Sequence, residues 1–204
     1  MSEMDVLVPL KRLDRAKSRL DGRLGPEARA ALMVALVERT LRQAAHAPSL
    51  GRIVLVSAEP SSGDIAAAHG IEHFDDRGLV WNEALAAAVR ETVATKDVLI
   101  LSADLPLLSS ADLEELVAAS PSPGVAVARA RDAGTNAVLL RPADAIPTCF
   151  GVLGSAAEHA RLAAAAGLPA VIVDIPGLAL DLDSSDDVRE LLRLGAPEEL
   201  RGLL

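Results

Sequence analysis

Apolar positions along this chain follow two periods. Short apolar runs predict strands at 5–10, 52–58, 71–74, 125–130, 136–140 and 170–174. Stretches with apolar residues three and four apart predict helices at 26–47, 81–94, 110–119, 155–166 and 188–194, with a short one at 65–69. One uninterrupted apolar run is Val98 to Leu101, followed by small Ser102 and Ala103, a lone carboxylate at Asp104, then Pro106. Such a run, bounded by turn signals, predicts a strand buried on both faces and central in a parallel sheet. Pro106 cannot donate to a ladder, so this strand is expected over 97–104 with Asp104 at its carboxyl end. Local punctuation agrees: Pro26 suits a first helical turn, and Gly70 and Gly167 suit helix ends.

Strands alternating with helices predict an α/β fold, a mostly parallel doubly wound sheet of Rossmann-like type. No Pro/Ser/Gly-rich linker and no internal repeat interrupts the pattern, so residues 1–204 read as a single domain. The exception is 120–155, where two strands follow each other with no helix between them. That stretch predicts an antiparallel excursion covering the ligand edge. Residues 11–25, polar, basic and punctuated by glycine, read as a loop.

Composition narrows the function. The net charge of −9 disfavours a general polyanion binder. With no Tyr, one Trp and two Phe there is little to stack on bases, so no nucleic acid partner is expected. The single cysteine, Cys149, excludes an internal disulfide and a cysteine zinc cluster, and beside Phe150 it reads as core. The first five residues lack a basic region followed by an apolar one, so no secretory leader is expected. No apolar run reaches membrane-spanning length. A cytoplasmic protein without membrane contact is expected.

Three groups of residues carry candidate chemistry. Asp104 lies where ligands bind in open α/β sheets, at the carboxyl edge. Capping of the next helix is already served by Ser109 and Asp112, a Ser-x-x-Asp pattern. The loop 11–23 holds six basic and two acidic residues, net +4 in an acidic chain, and two of the chain's three lysines, Lys11 and Lys17. Following the first strand, it lies at the same edge, where lysine point charges suit phosphate oxygens. It is no Walker loop, since Gly-x-x-x-x-Gly-Lys-Ser/Thr is absent, and no Gly-x-Gly-x-x-Gly follows the first strand. Asp181 and Asp183 are two apart, so in an extended stretch they face one side. With Asp104 they form a natural Mg²⁺ arrangement, while Ser184 and the acidic turn behind them also read as a helix cap. Finally, Gly134-Thr135-Asn136 precedes a strand, and Gly151 and Gly154-Ser155 lead into a helix whose first turns carry His159. The helix start suits an anion, but Ser155-x-x-Glu158 also reads as a capping box.

Taken together these pieces resemble the 2-phospho-L-lactate/phosphoenolpyruvate guanylyltransferases of deazaflavin coenzyme F-420 biosynthesis. The resemblance rests on Val8-Pro9-Leu10-Lys11-Arg12-Leu13-Asp14-Arg15-Ala16-Lys17-Ser18-Arg19-Leu20, Ala103-Asp104-Leu105-Pro106-Leu107-Leu108, Gly134-Thr135-Asn136, Phe150-Gly151 with Gly154-Ser155 and His159, and Leu180-Asp181-Leu182-Asp183, in the family's order. It implies a nucleotide-diphospho-sugar-transferase-like fold and GTP as donor. It implies Pro9, Leu10, Lys11, Lys17, Arg19, Asn82 and Ser102 in nucleotide binding, with Lys17, Arg19 and Asp104 catalytic. It implies Mg²⁺ on Asp104, Asp181 and Asp183, and an acceptor pocket of Thr135, Ser155 and either Gly151 or Gly154. The family's Gly-Leu-Asn is here Gly78-Leu79-Val80-Trp81-Asn82.

The expected activity is transfer of GMP from GTP to the phosphate of phosphoenolpyruvate or 2-phospho-L-lactate, with release of pyrophosphate. A homodimer is compatible with this reading. The alternatives are a molybdopterin-type guanylyl- or cytidylyltransferase and a non-catalytic nucleotide-binding protein. The latter would not need three spaced metal carboxylates.

Overall fold

Every residue of β1 (Met4–Pro9) is buried, including Asp5, whose carboxylate accepts from Arg52 and from the Ala94 and Thr95 N–H groups, and the apolar side chains alternate between two separate cores. Met4, Val6 and Val8 face α1 (Pro26–Ala45) and α4 (Ser110–Ala119), whereas Leu7 faces the side covered by α3 (Trp81–Thr92) and α5 (Ser155–Ala165). This is a computed structural model, and it describes residues 4–15, 17–20 and 22–204. The leader expectation, which rests partly on residues 1–3, and the contributions of Ala16, Asp21 and the Arg15 side chain to the basic loop lie outside the described residues.

The remaining strands are β2 (Leu50–Val56), β3 (Glu72–Phe74), β4 (Val98–Leu101), β5 (Gly124–Arg129), β6 (Thr135–Arg141) and β7 (Ala170–Val173). Among the described residues they form, with β1, one seven-stranded sheet in the order β3-β2-β1-β4-β6-β5-β7. β1 pairs in parallel with both β2 and β4, so the chain winds away from β1 in two directions. The carboxyl ends of β1 and β4 therefore flank a topological switch point, where a crevice opens.

The antiparallel excursion exists but lies inside the sheet. β6 runs antiparallel to both neighbours, β4 and β5, and every other pairing is parallel. Instead of covering the carboxyl edge, β6 delivers its amino end to it: Ser102 N–H donates to Asn136 O at 2.8 Å. The central strand is shorter than 97–104. Its pairing with β1 ends at Leu7↔Ile100 and with β6 at Leu101↔Ala137, which leaves Asp104 three residues past β4 in the loop.

The sequence periods missed short helical pieces: α6 (Pro176–Ala179), α8 (Glu198–Arg201) and two single 3-10 turns at Leu13–Arg15 and Ser18–Leu20 within the basic loop. The helix read at 65–69 begins earlier, as α2 (Ser62–His69), and the last amphipathic helix likewise, as α7 (Ser185–Leu194). A third core joins Leu20 of the basic loop, Leu32 and Leu36 of α1, Leu180 and Leu182, and the apolar face of α7 and α8. It braces the two segments that carry Lys17 and the Asp181/Asp183 pair. Among the described residues no helix is long and apolar enough to cross a membrane.

Candidate active site

A cavity of about 310 Å³ opens at the switch point, and most of the charged residues singled out in the sequence line it. Pro9 ends β1, and the chain turns away as Lys11. Leu10 pins this turn: its N–H donates to Val56 O at 2.9 Å and its carbonyl accepts from Ser57 Oγ at 2.8 Å. The loop then returns through Lys17, held at a positive φ of 54° with its side chain buried. Leu20, fully buried in the third core, anchors the return.

Lys17 Nζ donates to Asp104 Oδ2 at 2.5 Å and to Asp183 Oδ1 at 2.9 Å. Burial works against the ammonium, but the two carboxylates more than offset it, and Lys17 is held well above the ordinary lysine range. Asp183 is lowered: burial opposes its charge, and Lys17, then Arg19 and Lys11, outweigh that. Asp104 is fixed from behind. Ala103 O accepts from Thr40 Oγ1 on α1 at 3.3 Å, and Asp104 O accepts from Leu182 N–H at 3.2 Å. That backbone bond draws the 180–183 stretch beside the loop after β4. Leu180 and Leu182 are buried, so Asp181 and Asp183 turn to the other side, into the cavity, as their spacing predicts. Ser184 and Asp187 do form the helix cap, leaving the Asp pair free of that role.

Asp181 differs from its neighbours. Burial first, then the charges of Asp104 and Asp183, push it up to about 6, and it accepts a long 3.5 Å hydrogen bond from Asn136 Nδ2. The three carboxylates thus hold more negative charge than Lys17 balances, which suits a divalent cation. Magnesium asks the protein for only one or two carboxylates and completes its shell with water and phosphate oxygens. Among the described residues no three His, Cys, Asp or Glu groups form a ready-made cage; the Lys17 ammonium stands between Asp104 and Asp183. The donor set fits Mg²⁺ bound by part of the trio together with substrate oxygens.

Lys11, Arg19 and Ser102 also line the cavity. Sequence reading missed Trp81, which lies between this cavity and an adjoining one of about 280 Å³ and has Lys11 Nζ 4.6 Å from its ring centroid. The chain's one tryptophan at the start of a helix was the available signal. Leu10 lines the adjoining cavity, together with Asp76, Gly78 and Leu79 at the turn after β3. Asn82 lies outside both. Its Nδ2 donates to Phe150 O at 3.0 Å and its Oδ1 accepts from Phe150 N–H at 2.9 Å, so it clamps α3 to the segment before α5.

Of the acceptor residues, Thr135 lines the cavity, placed there by the reversal of β6. Ser155 sits behind it, with Oγ donating to Thr135 Oγ1 at 3.0 Å. The Ser155-Glu158 capping box does not form. Gly154, at a φ of 70° that favours glycine, takes the cap position, and Glu158 pairs with Arg161 instead. Gly151 and Gly154 shape the turn without lining the cavity. His159 is fully buried and pushed down to about 4, chiefly by that burial. Burial likewise pushes the Cys149 thiol up to about 11, which leaves it protonated and a poor nucleophile.

Residues 4–203 match the family model described as guanylyl transferase CofC like. The chain is 39% identical over 188 residues to the phosphoenolpyruvate guanylyltransferase of Sphaerobacter thermophilus, a match covering 91% of this chain and 90% of that one. It is 30% identical over 196 residues to the 3-phospho-D-glycerate guanylyltransferase of Colwellia psychrerythraea, with 95% and 93% covered. A solved structure from Desulfovibrio desulfuricans G20, assigned to the nucleotide-diphospho-sugar transferases, superposes with a TM-score of 0.76 at 19% identity, over 98% of this chain and 91% of that one. At that identity the match shows the fold.

Proposed function

Because this chain belongs to the CofC-like guanylyl transferase family, we propose that it moves the guanylyl group of GTP onto the phosphate of phosphoenolpyruvate and releases pyrophosphate. The observation that carries the reading is the meeting in one cavity of Asp104, Asp181 and Asp183 with the cations of the loop after β1. The choice of acid rests on the relative in Sphaerobacter. The relative in Colwellia favours 3-phospho-D-glycerate as the second reading. The reaction belongs to deazaflavin coenzyme F-420 biosynthesis, and we place the chain there and in the cytoplasm.

In the proposed step a phosphate oxygen of the acceptor attacks the α-phosphorus of GTP in line. The bond from that phosphorus to the α–β bridging oxygen breaks, and pyrophosphate leaves with the electron pair. No proton has to be removed first, since a phosphate monoester with a second pKa near ~6 is largely dianionic at neutral pH. The obstacle is the meeting of two polyanions, so fixed charge matters more than acid–base chemistry. Lys11 and Arg19 bind the triphosphate, and Lys17 faces the charge that gathers on the departing pyrophosphate. Asp104, Asp181 and Asp183 would hold Mg²⁺, which when bound supplies charge neutralisation at the phosphoryl oxygens. The adjoining cavity takes the base, with the Asp76 carboxylate at one side and Trp81 at the mouth of both chambers. Cys149 stays protonated, and among the described residues no Ser/His/Asp set faces the cavity, in keeping with direct transfer rather than a covalent enzyme intermediate.

Purified protein with GTP and Mg²⁺, given phosphoenolpyruvate, 2-phospho-L-lactate or 3-phospho-D-glycerate in separate reactions, tests the assignment by rate of pyrophosphate release. The reading expects phosphoenolpyruvate to be preferred. Preference for 3-phospho-D-glycerate would move the chain to the second reading.

A further inference from the structure

Behind Thr135 lies a hydrogen-bond relay whose proton positions follow from its ends. His159 Nε2 accepts from the backbone N–H of Cys149 at 3.0 Å. A neutral imidazole that accepts at Nε2 carries its proton on Nδ1. The ring also meets the Ser155 backbone carbonyl one helical turn back, but the partner in hydrogen-bond geometry with Nδ1 is Thr135 Oγ1 at 3.1 Å, so the Nδ1 proton is donated there. Ser155 Oγ is buried, with Thr135 Oγ1 as its hydrogen-bond partner at 3.0 Å, so its proton also goes to Thr135. Both lone pairs of the Thr135 hydroxyl are then filled. Its own proton is left over, and the open side of Thr135 is the cavity.

We infer that His159 is a positioning residue that fixes the Thr135 hydroxyl as an obligate donor toward an anionic oxygen of the acceptor. A free threonine hydroxyl can turn to donate or accept; this one has no acceptor capacity left. It would bind a phosphate or carboxylate oxygen and turn away a ligand atom that itself donates. The ring is locked in place: the edge of Phe150 packs against it at 5.3 Å between centroids, and Asn82 holds the Phe150 backbone. Glu158 and Arg161, on the same helix, pair with each other at the surface, and Cys149 remains a neutral thiol. Burial keeps the imidazole neutral, which the relay requires, since a protonated ring would place Nε2–H against the Cys149 N–H.

This inference rests on the proposed acceptor chemistry, and two variants separate the two claims. His159→Asn keeps a donor where Nδ1 lies, whereas His159→Gln keeps a polar group where Nε2 lies and leaves Thr135 without it. Steady-state kinetics with phosphoenolpyruvate and GTP varied in turn, and a melting curve for each protein, read the outcome. His159→Asn should keep the acceptor KM within about threefold of wild type. His159→Gln should raise it about tenfold or more with the GTP KM unmoved, the scale of one hydrogen bond to a charged group. If the glutamine variant fails to fold, Ser155→Ala reads the relay from its other donor and should raise the acceptor KM alone. Equal acceptor KM values in the two His159 variants, or parallel rises in acceptor and GTP KM, would overturn the relay. Wild-type protein that transfers to none of the acids would overturn the functional reading instead.

Discussion

Lys17 Nζ sits 2.5 Å from Asp104 Oδ2 across a sequence separation of 87 residues, joining the loop after β1 to the loop after β4 over the switch point of the sheet. The same ammonium reaches Asp183 at 2.9 Å. One buried cation thus ties together three distant stretches of chain, and its removal should be felt in the chemistry. Lys17→Ala should lower turnover ~10²-fold or more, the scale of losing one transition-state electrostatic contact. Lys96→Ala, at an exposed position near the opposite edge of the sheet, should leave turnover near wild type. Initial rates of pyrophosphate release for the two variants decide it; matching rates would reduce the loop to a solvated charge cluster.

Asp104→Asn should abolish turnover while the fold persists. Its amide oxygen can still accept from Lys17, and Asp183 remains as an ionic partner. What disappears is a charge at the place proposed for Mg²⁺. Circular dichroism melting should shift by a few degrees at most, and a Mg²⁺ titration of activity should stay flat. An Asn variant that recovers most of its activity at saturating Mg²⁺ would remove Asp104 from the metal role.

Trp81 is the chain's one tryptophan and lies where the two cavities join. Its fluorescence should therefore report on the nucleotide. GTP should change the emission in a saturable way, and the acceptor alone should leave it unaltered. Lys11→Ala, which removes the cation 4.6 Å from the ring, should weaken the GTP response. Emission insensitive to GTP would place the nucleotide elsewhere.

His159 makes a prediction about stability. Burial pushes its pKa down to about 4, below the ~6.5 of an exposed imidazole. Between those values the unfolded chain takes up a proton that the folded chain refuses. Stability from this group is therefore full above pH ~6.5 and is lost as pH falls toward 4, by an amount on the order of 3 kcal/mol. Wild-type melting temperature should fall more steeply over that window than that of His159→Asn, which has nothing to titrate there. Parallel curves would contradict the buried neutral ring.

Much of this site could be read from local pattern. The apolar run of β4 announced a buried strand and hence a carboxylate at the ligand edge, even though pairing ends at Leu101 and Asp104 follows in the loop. The alternation of Leu180 and Leu182 with Asp181 and Asp183 foretold which side the carboxylates face. What escaped the sequence depends on distant partners. The reversal of β6 is decided by pairing with β4, across more than thirty residues, and it alone brings Thr135 to the cavity. Ser155 reads as a cap because Glu158 follows at the right spacing, but Gly154 takes that position and releases the hydroxyl to Thr135. Asn82 sits at a helix start like a ligand contact, and only the fold reveals that Phe150 occupies both ends of its amide. Helices as short as α6 and α8 leave too few residues for a period to show.

The most direct measurement is mass spectrometry of the products from purified protein, GTP, Mg²⁺ and phosphoenolpyruvate. The account predicts a species with the mass of GMP joined to phosphoenolpyruvate through a phosphate anhydride, formed in step with one pyrophosphate for each GTP consumed. GTP left intact, or cleaved with no adduct to any of the three phosphorylated acids, would contradict it.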